Sequence, residues 1–177
     1  MSIYVIRHGE TNLNKENRLQ GRNGEPLNKN GIKQAKELAK KLENIKFDMV
    51  ISSPQIRAIQ TAEIISGIKP KVDDRIEVFD LGEADRMKKE EVEMVEFLPN
   101  PVKYKGVEKL ENFIVRIKSF MQSLHDLKDR DNLNILIVGH KCTVGGIDAY
   151  FNNFTDIKGS MKNASKNGEF KVYNFKY

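Results

Sequence analysis

Three short apolar runs, residues 4–6, 47–51 and 135–138, each stop abruptly at polar groups, and this repeated pattern constrains the fold more than any other feature of the chain. Tyr4-Val5-Ile6 and Ile135-Leu136-Ile137-Val138 carry no polar interruption, as a strand buried on both faces requires. Between the runs the apolar spacing changes to three and four. Ile32, Ala35, Leu38, Ala39 and Leu42 predict an amphipathic helix over residues 31–43, and apolar positions 110, 113, 114, 117, 120, 121 and 124 predict a longer one. Residues 170–175 alternate and predict a final strand. Strand and helix patterns that alternate in this way imply an α/β fold with a mostly parallel sheet and helices on both faces.

In such sheets ligands bind beyond the carboxyl ends of the strands, so the residues that follow each run are the candidate site. The first run ends in Arg7-His8-Gly9-Glu10-Thr11. Arg supplies a permanently charged fork for phosphate oxygens, His a nucleophile or acid/base near neutral pH, and Gly9 a close backbone approach to a ligand. These residues alone fit a polar turn equally well. The second run ends in Ser52-Ser53-Pro54, where Ser53 is predicted to cap a helix that begins at Pro54 and carries Arg57 one turn in. Arg57 is then either a site residue or a surface ion pair. The third run ends in Gly139-His140-Lys141 and is followed by a helical pattern over residues 144–151.

The connecting segments read less sharply. Residues 12–29 form a polar loop that carries Arg18 and Arg22 and is placed to line the site, with Arg22 expected in solvent. Residues 67–85 read as a short strand and a loop containing Glu77, Asp80 and Glu83, residues 87–98 as a helix ended by Pro99-Asn100-Pro101, and residues 159–167 as a polar loop. His125 lies off the apolar stripe of its helix and is given no role.

Several functions are disfavoured. A length of 177 residues suits one domain spanning 1–177. There is no apolar run near the roughly 20 residues that span a bilayer, and no secretory signal, so a cytoplasmic protein without membrane attachment is expected. A single cysteine, Cys142, allows no internal disulfide and fits a reducing compartment. The net charge of +5 comes from lysines spread among acids, which suits steering of small anions better than nucleic-acid binding. A Gly-x-x-x-x-Gly-Lys-Ser/Thr loop is absent. Asp148 stands six residues after Cys142, where a cysteine phosphatase would carry Arg, so Cys142 reads as a core thiol. Three histidines without a His-Glu-x-x-His helix argue against a metal site, and no cofactor is called for. Oligomeric state is left open.

The chain resembles the histidine phosphatase superfamily, which includes cofactor-dependent phosphoglycerate mutases and many small phosphatases. The resemblance rests on Arg7-His8-Gly9-Glu10-Thr11 with Asn14, Arg18-Leu19-Gln20-Gly21, Pro26-Leu27, Gly31, Gln34-Ala35, Ser52-Ser53-Pro54, Arg57-Ala58 and Gln60-Thr61-Ala62. Asp80-Leu81-Gly82, Glu108, Phe113 with Arg116, and Val138-Gly139-His140 extend it through the second half. It implies a three-layer α/β/α sandwich and a phosphohistidine mechanism. His8 would be the nucleophile, and Arg7, Arg57, Asn14 and His140 would surround the phosphoryl oxygens, with Arg18, Gln20 and Gly21 on the substrate side. The family's usual proton donor, a Glu four residues before Gly82, is here Val78. Glu77 is the candidate replacement, with Asp80 and Glu83 as rivals. Lys141 and Cys142 replace glycines that commonly follow the second histidine, and Gly24 stands where relatives often carry Asp.

The resulting expectation is a phosphomonoesterase that hydrolyses small phosphorylated metabolites through His8. The alternatives are a cofactor-dependent phosphoglycerate mutase, which usually needs a longer chain, and a non-catalytic phosphometabolite-binding protein that lacks an efficient acid.

Overall fold

The computed structural model describes residues 1–127 and 132–175. Strands β1 (Ser2–Arg7), β2 (Met49–Ser52), β3 (Lys71–Val72), β6 (Asn134–Gly139) and β7 (Phe170–Asn174) form one sheet in the order β3-β2-β6-β1-β7. β1 and β2 both flank β6 in parallel, β3 is parallel to β2, and only β7 runs antiparallel. The sheet is thus mostly parallel, as the alternating pattern predicts.

The continuity of the apolar runs follows from burial on two sides. Ile3 and Val5 of β1, with Ile135 and Ile137 of β6, face Phe113, Ile117 and Phe120 of α4 (Leu110–His125) and Val144 and Ile147 of α5 (Lys141–Phe151). Ile6, Leu136 and Val138 point the other way, onto Leu38 of α2 (Lys29–Lys41) and Ala58 and Ala62 of α3 (Ile56–Ser66). Side chains alternate across the sheet, so each run fills both layers and a three-layer α/β/α sandwich results. Each fully buried aliphatic contributes on the order of 1.5–3 kcal/mol, so a polar residue inside these runs would be costly and polar groups gather at the ends.

Four local expectations differ from the structure. Residues 87–98 are not a helix: a single 3₁₀ turn at Lys89–Glu91 precedes a small hairpin of β4 (Met94–Val95) and β5 (Leu98–Pro99). Tertiary bonds override the local pattern there, because Leu19 N–H donates to the Met87 carbonyl, Lys89 N–H to the Asn17 carbonyl, and Asn100 closes on Glu93. Residues 159–167 are not wholly loop, since α6 (Ile157–Lys162) forms under an Asp156 cap and buries Ser160 and Met161. Within residues 12–29 a one-turn helix, α1 (Asn12–Lys15), is capped by Thr11. Finally, α3 starts at Ile56 with Gln55 as its cap residue, not at Pro54 under Ser53. The Ser53 Oγ accepts from His140 Nε2 at 2.7 Å and keeps only a longer bond, 3.4 Å, from the Gln55 N–H.

Candidate active site

Strand order brings the three run ends together. β6 lies between β1 and β2, with Arg7 opposite Gly139 and Ser52 opposite Val138. The next residues, His8, Ser53 and His140, therefore leave the same sheet edge side by side. The two imidazoles lie 5.2 Å apart between ring centroids, and both are buried.

Hydrogen bonds assign each ring a tautomer. The Nδ1–H of His8 donates to its neighbour's carbonyl, Gly9 O, at 2.7 Å, which leaves Nε2 unprotonated; Arg57 Nε donates to it at 3.3 Å. His140 is set the other way round, with Nε2–H donating to Ser53 Oγ while Nδ1 accepts from Arg57 Nη2 at 3.2 Å. Burial, with Arg57 and Arg7 alongside, holds the His8 pKa well below its ordinary value. Burial, Arg57 and His8 do the same for His140. Both rings are neutral at physiological pH, and the His8 Nε2 lone pair is engaged by Arg57.

Arg57 is completely buried and joins the two rings. Its Nη2 also donates to the Gly21 carbonyl at 3.1 Å and its Nη1 to Gln55 Oε1 at 3.1 Å. Burial lowers its pKa to about 10, so it stays cationic at neutral pH. Gly24 leaves room for the guanidinium in this position, since a Cβ there would overlap Arg57 Nη1 and make it shift. Gly9 has a different reason from a close approach to ligand: a Cβ would strike the backbone of Gly31 in α2. The Gly9 N–H is held by Thr61 Oγ1 of α3. The ion-pair alternative for Arg57 is thereby excluded.

A cavity of about 190 Å³ opens at this edge, and Arg7, His8, Asn14, Arg18, Gln20 and His140 line its polar side. Gly21 is not among its lining residues and acts on Arg57 through its carbonyl. Val78, Phe79, Leu81, Phe97, Leu98 and Met161 form the apolar side. Arg7 Nε and Gln20 Nε2 are buried without a hydrogen-bond partner, two donors left over at the site. The cavity has no Asp or Glu among its described lining residues. Glu77 accepts from Gln55 Nε2 at 2.7 Å and pairs with Arg22 at 3.3 Å, outside the cavity lining. Asp80 is occupied by the Gly82 N–H and Arg22, and Glu83 by the Lys105 N–H. Arg22 is exposed, as expected, at 42%, and from the surface it bridges Glu77, Asp80 and Glu108.

Asn167 was missed by the sequence reading. Its Nδ2 donates to the His8 carbonyl at 3.0 Å and to Asn14 Oδ1 at 3.2 Å, and so fixes the turn after β1. A lone Asn in a polar stretch gives no periodic signal, and its partners lie more than 150 residues away. Cys142 is buried, as expected for a core thiol, and burial pushes its pKa up. Among the described residues there is no group of His, Cys, Asp and Glu suited to a metal ion, and no helix is long and apolar enough to cross a membrane.

Neutral paired imidazoles with arginines at a strand-end cavity form an arrangement suited to a phosphoryl group. Residues 3–169 match the histidine phosphatase superfamily (branch 1). The chain is 33% identical over 156 residues to "Putative phosphoserine phosphatase 2" of Hydrogenobacter thermophilus, covering 82% of this chain and 75% of that one. It is 31% identical over 146 residues to "Uncharacterized phosphatase PhoE" of Bacillus subtilis, covering 81% and 73%. Among solved structures, Bacillus stearothermophilus YhfR superposes with a TM-score of 0.81 at 26% identity, over 97% of this chain and 89% of that one. The alpha-ribazole phosphatase of Shigella flexneri shares the fold, with a TM-score of 0.82 at 23% identity over 99% and 91%. The chain belongs to the histidine phosphatase superfamily. It is a hydrolase of phosphate monoesters.

Proposed function

We propose that the protein hydrolyses small phosphorylated metabolites by way of a phosphohistidine on His8. The observation that carries this reading is the pair of neutral histidines with tautomers fixed in opposite senses and Arg57 between them. An ester phosphate entering the cavity takes the Arg57 Nε–H from His8 Nε2, which frees that lone pair to attack phosphorus. Arg7, Arg57 and Asn14 then donate to the non-bridging oxygens, while His140, whose one N–H is held by Ser53, flanks them and orients Arg57 through Nδ1. Asn14 Oδ1 already accepts from Thr11 and Asn167, so its NH₂ group is the available donor. Such donors stabilise charge that develops during transfer. The P–O bond to the leaving alcohol breaks as the His8–P bond forms, and water cleaves the phosphohistidine in the second step.

Glu77 acts through Gln55 to hold Arg57, and the leaving oxygen takes its proton from water at the cavity mouth. The wild-type enzyme therefore works best on esters with stable leaving groups. Cys142 and the lysine distribution agree with a cytoplasmic enzyme for small anions. Incubation with an aryl phosphate tests the proposal: alcohol release and acid-labile phosphate on the protein are expected, and His8→Ala should lower kcat by at least about 10³-fold. Phosphate-ester binding without turnover would instead make the protein a non-catalytic binder.

A further inference from the structure

The cationic side of the cavity holds more charge than one phosphate needs. Besides Arg7, Lys89 and Lys141 line the cavity, while Arg57 lies behind the histidines outside its lining. Lys141 is the first residue of α5, directly after His140, and Lys89 opens the 3₁₀ turn pinned to Asn17. They approach from separate elements. Arg18, the other cation of the lining, is already engaged by Glu16 and the Arg86 carbonyl, both at 2.9 Å. Neither lysine forms an ion pair among the described residues. Partial burial, then Arg7 and Lys141, depress the Lys89 pKa, and partial burial, then Arg7, depress that of Lys141. No carboxylate is among these influences. Both lysines are exposed at the cavity rim, and with Arg7 beside them and no acid in the lining they offer two cationic donors to an anion.

We propose that Lys89 and Lys141 form a second anion subsite, so that the preferred substrate is a compact phosphate monoester with a second negative group, carboxylate or phosphate, a few atoms from phosphorus. The inference rests on the phosphatase reading, because the ester phosphate must occupy the His8 end for the second group to reach the lysines. The carbon skeleton between the two anions lies along the apolar side at Val78, Phe79 and Leu98. The small cavity suits a short skeleton and disfavours a bulky one.

Binding to the His8→Ala protein tests this without consuming the ligand. Phosphoglycolate, ethylene glycol bisphosphate and ethyl phosphate are titrated by calorimetry. At least one of the two ligands with a second anionic group should bind at least about tenfold more tightly than ethyl phosphate, and the stronger of the two identifies carboxylate or phosphate as that group. That advantage should fall roughly fivefold with Lys89→Met or Lys141→Met and vanish in the double variant, while Lys→Arg at either position retains it. The ratio to ethyl phosphate cancels general attraction of phosphate by the positive rim. Equal affinity for all three ligands, or an advantage that survives the double variant, would overturn the subsite. Wild-type hydrolysis of an aryl phosphate is measured separately. Hydrolysis without preference for a second anionic group removes the subsite alone, whereas that preference without hydrolysis removes the phosphatase reading alone.

Discussion

Val78→Glu should turn a leaving-group-limited enzyme into a general one. Val78 is 7% exposed and lines the cavity with His8 and His140, at the position where the family usually carries its acid. A glutamate there would bring the first carboxylate into the lining, facing Arg7, Lys89 and Lys141, which offset part of its desolvation. Loss of the buried valine costs at most about 1.5–3 kcal/mol of stability. General acid catalysis contributes about 10²- to 10⁴-fold, or roughly 2.7–5.5 kcal/mol of barrier. For an alkyl phosphate, whose alkoxide leaves poorly, kcat/KM should rise by that factor. For an aryl phosphate, whose phenolate needs no proton, the change should stay below about tenfold. The assay is kcat/KM across monoesters of graded leaving-group pKa, with a urea midpoint to confirm that the variant is folded. A steep wild-type dependence that flattens in the variant is expected. A folded variant that gains nothing on alkyl esters, or gains equally on both classes, would refute the reasoning.

Acid should weaken the fold through the two site histidines. Both stay neutral when folded at pH values where an unfolded imidazole, with pKa near 6.5, takes up a proton. The unfolded state therefore binds more protons below about pH 6.5, and stability should fall with a slope approaching 1.4 kcal/mol per pH unit for each histidine. Urea unfolding at pH 7, 6 and 5 measures this, and an equal acid loss in the His8→Gln, His140→Gln double variant would contradict it. Gly24→Ala should displace Arg57 and lower kcat by about 10²-fold while the protein remains folded. Unchanged steady-state kinetics would show that the guanidinium position is immaterial. Arg116 donates to Glu108 and to the carbonyls of Arg75, Glu77 and Val78, so Arg116→Ala should cost about 3 kcal/mol in denaturant unfolding. A loss below about 1 kcal/mol would show that solvent replaces those bonds.

The sheet, its two helical layers and the histidines were legible because each depends on local pattern. A doubly buried strand needs an unbroken apolar run, and the polar group that ends it must lie at the edge. Tyr4 to His8 and Ile135 to His140 thus state both element and site. Arg57 was visible as a candidate, but its role was not: only with β6 between β1 and β2 does its guanidinium reach both rings at once. The same holds for Ser53, whose hydroxyl suits a helix cap until His140 arrives from 87 residues away. Residues 87–98 have a helical composition, yet bonds to Asn17 and Leu19 impose a turn and a hairpin. Glu77 and Arg22 pair with each other across 55 residues of chain, a partnership that neither residue's neighbours announce, and Arg22 stays exposed as read. Local sequence determined which segments are strands or helices and which residues could do chemistry, since side-chain periodicity is a property of a few neighbouring residues. Tertiary structure alone decided which donor meets which acceptor, because those partners are chosen by strand order and by competition among groups far apart in the chain.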